Sequence, residues 1–129
     1  MYTPEVLDHF RSPRNAGVLK GANAHGRAEN PGCGDEVELS VRLEGGRIAD
    51  LRFRARGCVA AIACASRLTE LARGRPVGEA LGIDASGIAA SLGGLPQASG
   101  HAAALAIQAL RAALSGFSPP VPGTNTVPP

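Results

Sequence analysis

The chain has 129 residues, of which 44% are hydrophobic and 3% aromatic, and its 13 basic and 11 acidic side chains leave a formal net charge of +2. This composition is typical of one small globular domain. Because the charges nearly cancel and aromatic residues are few, the composition argues against a nucleic-acid partner.

Neither a membrane span nor a secretory signal is expected. The longest apolar run near the C-terminus reaches from Ala102 to Leu110 only if Gln108 is tolerated, which is well short of the roughly 20 residues that a span needs. The first twenty residues carry charges such as Glu5 and Asp8 in place of an apolar signal core. We therefore expect a cytoplasmic protein with no membrane partner.

Three cysteines in a reducing compartment favour metal ligands, buried thiols or a nucleophile over a disulfide framework.

The chain begins with a predicted helix over residues 4–11. Thr3 is a typical N-cap, Pro4 suits the first helical position, and Pro13 ends the helix. The glycine-rich stretch from Ala16 to Gly34 predicts irregular chain with a weak edge strand around residues 25–29.

Two half-buried strands follow, because apolar and polar residues alternate on both sides of Gly45 and Gly46. A two-residue loop would place Leu39 opposite Arg52, which mixes apolar and charged side chains on one face. A three-residue loop over 45–47 avoids this conflict. It predicts the apolar pairs Leu43–Ala49, Val41–Leu51, Leu39–Phe53 and Val37–Ala55, and the oppositely charged pairs Arg42–Asp50, Glu38–Arg54 and Glu36–Arg56.

The second half of the chain is predicted to be helical. Helices are expected over 59–73, ended by Gly74, over 76–81 and 88–92, and over 101–114. The proline-rich segment 118–129 is typical of a disordered tail, which gives a domain over 1–116 and a tail over 117–129. Together the elements predict an α+β fold in which helices cover a small antiparallel sheet of about three strands.

The hairpin also brings two thiols together. Extending its ladder sets Asp35 opposite Gly57 and Gly34 opposite Cys58, so Cys33 and Cys58 meet at the open end. Adjacent strands lie about 5 Å apart, so both thiols and the Asp35 carboxylate can point at one ion. The glycines at 32, 34 and 57 suit a backbone that bends around a bound group.

The position of Cys58 directly before a helix favours its thiolate, because the helix N-terminus carries partial positive charge. A different interpretation is that Cys33 and Cys58 are small apolar fillers and that Asp35 merely begins a strand. Cys64 lies on a helical stripe with Ala61, Leu68 and Leu71, which predicts a core residue, although it also offers a substitute thiol. Arg54 and Arg56 are expected mainly to pair with acidic residues of the neighbouring strand, and only secondarily to bind a ligand.

Three segments resemble the NifU/IscU family of iron-sulfur cluster assembly scaffolds. They are Leu7-Asp8-His9-Phe10-Arg11-Ser12-Pro13-Arg14-Asn15-Ala16-Gly17, Pro31-Gly32-Cys33-Gly34-Asp35 and Gly57-Cys58-Val59-Ala60-Ala61-Ile62-Ala63. The resemblance extends from Tyr2 to about Leu114. It implies the family's α+β fold and a site formed by Cys33, Asp35, Cys58 and His101. Without the resemblance, His101 is more readily read as a polar residue at a helix start. His9 and His25 have no partners at ligand spacing and are expected to be surface histidines.

The resemblance implies a scaffold that accepts sulfur from a cysteine desulfurase, with Cys58 as the acceptor, binds iron and passes a [2Fe-2S] cluster to iron-sulfur acceptor proteins. No nucleophile triad, phosphate-binding loop or pair of catalytic carboxylates is apparent, so we do not expect an enzyme.

The chain departs from the family pattern at two places. Ala102 stands where the family has its third cysteine, so one thiolate is missing. The segment Leu95-Pro96-Gln97 lacks the second proline and the lysine that a dedicated chaperone reads in the family's housekeeping members, so that partnership loses its sequence signature. The zinc-dependent SufU branch has an insertion for which residues 76–95 leave no room.

Two other functions stay open at this point. The four site residues also suit a tetrahedral zinc ion, which would make the chain a zinc-bound sulfur acceptor. Alternatively, the chain is a binding module that kept the fold without the chemistry. A homo-oligomer that shares one cluster between two incomplete sites is compatible with the sequence, although no residue indicates it.

Overall fold

The computed structural model describes residues 1–115. Their elements are, in chain order, α1 (Pro4–Arg11), β1 (Ala24–Asn30), β2 (Asp35–Glu44), β3 (Arg47–Arg56), α2 (Val59–Ala72), α3 (Val77–Ala80), α4 (Ala85–Ser91), a 3-10 turn (Gln97–Ser99) and α5 (His101–Leu114). The predicted tail over 117–129 lies outside the described residues. None of the helices within residues 1–115 has the length and hydrophobicity that crossing a lipid bilayer requires.

The three strands form one antiparallel sheet in the order β1-β2-β3. Alternation in β2 and β3 sends apolar side chains to one face, where α2 and α5 cover them. The largest of these inward residues are at most 3% exposed: Val37, Leu39, Val41, Leu51 and Phe53. The predicted α+β fold is confirmed.

The predicted hairpin register is right along most of the ladder and wrong at its turn. The three charged pairs and the pairs Val41–Leu51, Leu39–Phe53 and Val37–Ala55 all occur as predicted. Leu43, however, pairs with Ile48 because the register shifts at this point and Ala49 is left as a bulge. The loop therefore has two residues, Gly45 and Gly46, both with positive φ. Such glycines suit the tight turn that connects twisted strands.

The first helix has the predicted boundaries. The side chain of Thr3 caps it by accepting a hydrogen bond from the N–H of Val6 at 3.1 Å. The same hydroxyl donates to the carbonyl oxygen of Leu92 at 2.5 Å. This donation joins the start of α1 to the end of α4, while the body of α1 packs on α2.

The remaining helices agree with prediction except at the short α3 and α4. The expected helix over 88–92 begins three residues earlier, because the side chain of Asp84 caps it and accepts from the N–H of Gly87 at 2.7 Å. The helix expected over 76–81 is confined to Val77–Ala80.

The last helix lies against the edge strand β1, which is slightly longer than predicted. A β-carbon on Gly26 would lie 2.2 Å from both the carbonyl oxygen of Ala109 and the nitrogen of Ala113, so glycine is required for this close approach. With α5 held across the sheet in this way, its first residue, His101, lies at the open end of the hairpin, 3.2 Å from Asp35.

Candidate metal centre

The predicted site lies where four segments of the fold end or begin. Asp35 begins β2, β3 ends at Arg56, Cys58 precedes α2, and His101 begins α5. Cys33 lies in the turn that connects β1 to β2. The structure therefore brings all four predicted site residues to one end of the sheet.

Asp35 is the centre of this group, and its side chain is buried, with 2% of its surface exposed. Its Oδ1 accepts a hydrogen bond from the backbone N–H of Cys58 at 3.0 Å. Its Oδ2 lies 3.2 Å from Nε2 of His101 and 3.4 Å from Sγ of Cys58. A carboxylate can be buried at tolerable cost when its oxygens have such partners. Asp35 thus holds both Cys58 and His101 in place.

Gly57 makes the approach of Asp35 possible. Its φ is +128°, and a β-carbon at this position would lie only 2.0 Å from Oδ1 of Asp35. Sequence reasoning predicted that glycines bend here around a bound group. At Gly57, the structure shows that the absence of a side chain makes room for the Asp35 carboxylate of the same chain.

Cys33 and His101 form the exposed side of the site. Sγ of Cys33 lies 3.7 Å from Nε2 of His101. One ligand atom from each of Cys33, Asp35 and His101 lies within 4.8 Å of the other two. Sulfur, nitrogen and oxygen atoms at such separations are a donor set that suits iron or zinc. The donors present therefore fit a metal ion.

Cys58 lies beside this trio and contacts it through Asp35. It is the N-cap of α2, and its Sγ accepts from the N–H of Ala61 at 3.4 Å. The helix end favours the thiolate as predicted, but burial and Asp35 outweigh this contribution. Burial raises the pKa of the Cys58 thiol; the N–H of Ala61 lowers it, and the hydrogen bond and negative charge of Asp35 raise it further.

Two further positions, Cys64 and Ala102, were considered as sources of a third thiol for the site, and both are buried. Cys64 is fully buried in α2, as predicted for a core residue, and burial raises the pKa of its thiol to about 12. Ala102, where the family pattern has a cysteine, is also fully buried. Neither residue offers a thiolate to the site.

His9 was wrongly predicted to be a surface histidine. It is 7% exposed, with Nδ1 2.7 Å from the hydroxyl oxygen of Ser66 and Nε2 3.3 Å from Glu70. Because Ser66 also accepts from the backbone N–H of Arg14 at 2.8 Å, its own proton is free to be donated to His9. One sign of this burial was present in the sequence, because His9 follows Val6 by three residues and therefore lies on the same face of the helix. His25 is exposed, as predicted.

The predicted ladder roles of the two arginines are confirmed. Arg54 lies 3.2 Å from Glu38, and Arg56 lies 3.1 Å from Glu36. These pairs are on the charged face of the sheet, next to the site but outside its donor set.

Residues 1–120 match the model of the family described as the NifU-like N terminal domain. The chain belongs to this family. The iron-sulfur cluster assembly scaffold protein IscU 1 of Archaeoglobus fulgidus is 43% identical to it over 117 residues, which cover 91% of this chain and 76% of the relative. IscU of Aquifex aeolicus is 41% identical over 118 residues, covering 90% and 75%.

A longer relative and two solved structures are also similar to this chain. The nitrogen fixation protein NifU of Cereibacter sphaeroides is 44% identical over 115 residues, or 89% of this chain and 47% of that protein. The N-terminal part of a NifU-like protein from Brucella abortus has a TM-score of 0.71 at 16% identity, covering 88% of this chain and 91% of that one. A SUF-system scaffold structure from Fervidobacterium islandicum AW-1 has a TM-score of 0.72 at 22% identity, with coverages of 88% and 96%. At these identities the two structures show the shared fold.

Proposed function

We propose that this chain is a scaffold on which an iron-sulfur cluster is assembled and from which it is passed on. The observation that carries the proposal is the convergence of Cys33, Asp35 and His101, with ligand atoms within 4.8 Å of one another, beside the thiol of Cys58. The IscU relatives named above, which are cluster assembly scaffold proteins, support the same function.

The four residues divide into two roles in this proposal. Cys33, Asp35 and His101 bind incoming iron, because their three donor atoms already lie together. A carboxylate oxygen is a hard ligand and holds a sulfur-rich cluster weakly. Asp35 therefore suits a site that has to release what it assembles.

Cys58 is the proposed acceptor of sulfur from a cysteine desulfurase. Because the pKa of its thiol is raised, the thiol has to lose a proton before its sulfur can act as a nucleophile. Sγ donates a hydrogen bond to Oδ2 of Asp35 at 3.4 Å, which fixes the direction of the sulfur at the edge of the iron-binding trio. The chain itself is proposed to bind and transfer rather than to catalyse, and iron-sulfur acceptor proteins in the cytoplasm receive the product.

Anaerobic reconstitution with ferrous iron, cysteine, a cysteine desulfurase and dithiothreitol, which reduces the transferred persulfide sulfur to sulfide, tests this function. Visible absorption of a bound cluster is expected for the wild-type chain and is expected to be lost in Cys33→Ala and Cys58→Ala. Cys64→Ala is the matched control, since it removes a thiol that is buried away from the site. A protein that stays colourless with its cysteines reduced contradicts the proposal.

A zinc-bound sulfur acceptor is the second candidate, favoured by the mixed sulfur, nitrogen and oxygen donors, which also suit tetrahedral zinc. Metal analysis after expression in iron-rich, zinc-poor medium separates the two functions. Zinc retained at about one equivalent, together with a persulfide on Cys58 and no cluster absorption, supports this candidate over the scaffold.

A further inference from the structure

The end of the sheet opposite the metal centre carries an excess of arginine. β3 begins there at Arg47, and α2 ends beside it, where the backbone N–H of Gly74 donates to the carbonyl oxygen of Ile48 at 2.7 Å. This contact joins arginines of β3 and arginines that follow α2 into one surface, which we call the distal basic surface. Its members are Arg47, Arg52, Arg73 and Arg75.

The arginines of the distal basic surface have fewer acidic partners than the other arginines of the sheet. Asp50 serves both Arg52 at 3.0 Å and Arg73 at 3.3 Å, and within residues 1–115 neither Arg47 nor Arg75 forms an ion pair. The four guanidinium groups of this surface thus share one carboxylate there. Elsewhere on the sheet, each arginine forms an ion pair with a glutamate: Arg27, Arg42, Arg54 and Arg56.

Part of this arrangement stabilises the fold. Nη1 of Arg47 donates to the carbonyl oxygen of Gly74 at 3.2 Å, and Nε of Arg75 donates to that of Leu71. Such contacts satisfy carbonyl oxygens at the end of a helix and just beyond it. Each contact uses one of the five N–H donors of a guanidinium, so the others stay available while the side chain is held in place. Glu79 marks the limit of the surface, since it lines a groove with Arg75 without pairing with it.

We propose that the distal basic surface docks an acidic protein, whose carboxylates are bound by Arg47, Arg73 and Arg75. These three side chains are exposed, and the planar guanidinium matches a carboxylate with two parallel hydrogen bonds. The surface already holds one carboxylate, because Asp50 contacts both Arg52 and Arg73.

An acidic protein fits this surface better than a nucleic acid. Single-stranded nucleic acids are bound by basic side chains together with aromatic rings on which the bases stack. Phe53, the aromatic residue of β3, is buried in the core, and Tyr2 and Phe10 lie at the start of the chain and in α1. Asp50 would also repel a run of phosphates.

A partner docked at this end leaves the metal centre open. β3 has ten residues and spans about 30 Å from Arg47 to Arg56, and Cys58 lies just beyond its far end. The partner can therefore hold the chain while sulfur, iron and acceptor proteins reach the site. This use of the surface rests on the proposed function, whereas the docking itself does not.

Fluorescence anisotropy of a dye-labelled oligoglutamate peptide, titrated with the full chain at about 0.15 M salt, tests the docking. The wild-type chain is expected to bind this peptide and not its oligoglutamine counterpart. The triple variant Arg47→Gln/Arg73→Gln/Arg75→Gln should bind roughly tenfold more weakly, since each exposed ion pair contributes modestly. Backbone amide signals should shift at residues 47–52 and 72–76 and stay in place at 33–35.

Arg27→Gln/Arg54→Gln/Arg56→Gln is the matched control. It removes the same charge from arginines that already have acidic partners, and at this salt concentration charges are screened over about 8 Å. Its affinity for the oligoglutamate peptide should stay within about twofold of the wild type. Equal weakening in the two triple variants overturns the proposal, because the attraction would then follow net charge alone.

A lysine variant guards against a loss of fold, since Arg75 also contacts the end of α2. Arg47→Lys/Arg73→Lys/Arg75→Lys keeps the positive charges and should bind more tightly than the glutamine variant. A wild-type chain that ignores the oligoglutamate peptide, or that binds an oligothymidylate more tightly through the same arginines, overturns the proposal. Each of these outcomes leaves the scaffold function standing, because cluster absorption tests that function separately.

Discussion

Asp35 and Gly57 face each other across the open end of the hairpin so closely that any β-carbon on Gly57 would lie within 2.0 Å of the Asp35 carboxylate. This contact lets a buried acid reach the backbone N–H of Cys58. The geometry of the site therefore depends on a residue that provides no ligand.

Gly57→Ala is expected to destabilise the fold and weaken metal binding together. The added methyl group collides with Asp35, and alanine tolerates a φ of +128° poorly. We expect a loss of about 2–4 kcal/mol in the free energy of unfolding, measured by urea denaturation, and a lower affinity for Co²⁺ as a spectroscopic probe. Gly34→Ala is the matched control, because its φ is also positive but nothing lies within 4 Å of the added carbon. Equal losses in the two variants would contradict a specific contact with Asp35.

Asp35→Ala is expected to cost more stability than Asp35→Asn. Alanine leaves the N–H of Cys58 without its acceptor, a loss of about 1–3 kcal/mol for a buried donor. Asparagine can keep an oxygen in the place of Oδ1, so most of the loss should be recovered. Chemical denaturation of the two variants side by side checks this. If both lose the same amount, the hydrogen bond to Cys58 is not what Asp35 contributes to stability.

The buried His9 is expected to make the fold less stable in mild acid. Burial lowers the pKa of His9, and the charges of Arg14 and Arg67 lower it further, although Glu70 and Asp8 oppose this effect. As the pH falls through about 6.5, the unfolded chain binds a proton that the folded chain does not. Stability should therefore fall below that pH and level off once the folded state is also protonated.

His9→Gln isolates this contribution. It should be less stable than the wild type near neutral pH, by about 1 kcal/mol for the lost hydrogen bonds, and this difference should shrink on acidification. His25→Gln, which replaces an exposed histidine, is the matched control. Unfolding curves at several pH values make the comparison. A constant gap between wild type and His9→Gln at all pH values would show that His9 is not the titrating group.

The three cysteines are expected to differ sharply in their reactivity with iodoacetamide. Cys33 is exposed and should react first, and the half-buried Cys58, whose pKa is raised, should follow more slowly. Cys64 is fully buried with a pKa of about 12 and should react only after unfolding. Mass spectrometry of the native protein should thus show two alkylated thiols and a third in denaturant. Early modification of Cys64 would contradict its place in the core.

The sequence by itself determined the architecture, because the alternation of β2 and β3 and the opposite charges of Glu36–Arg56 and Glu38–Arg54 allow one register along most of the hairpin. It also placed Cys33, Asp35 and Cys58 at one end of the sheet, since strand pairing converts sequence spacing into spatial distance. The donor atoms that lie within 4.8 Å of one another, however, are those of Cys33, Asp35 and His101, without Cys58. The turn was missed because a bulge at Ala49 permits a two-residue loop without changing the register beyond it.

Only the tertiary structure decided the protonation of Cys58 and the burial of His9. The helix end alone favours a thiolate, but burial and the neighbouring Asp35 outweigh it, and both depend on chain segments that are distant in sequence. His9 is likewise buried where α1 packs against α2, and Ser66 of α2 is its hydrogen-bond partner there. Local patterns specify which elements form, whereas the dielectric and charge around a titratable group are set by the segments that pack against it.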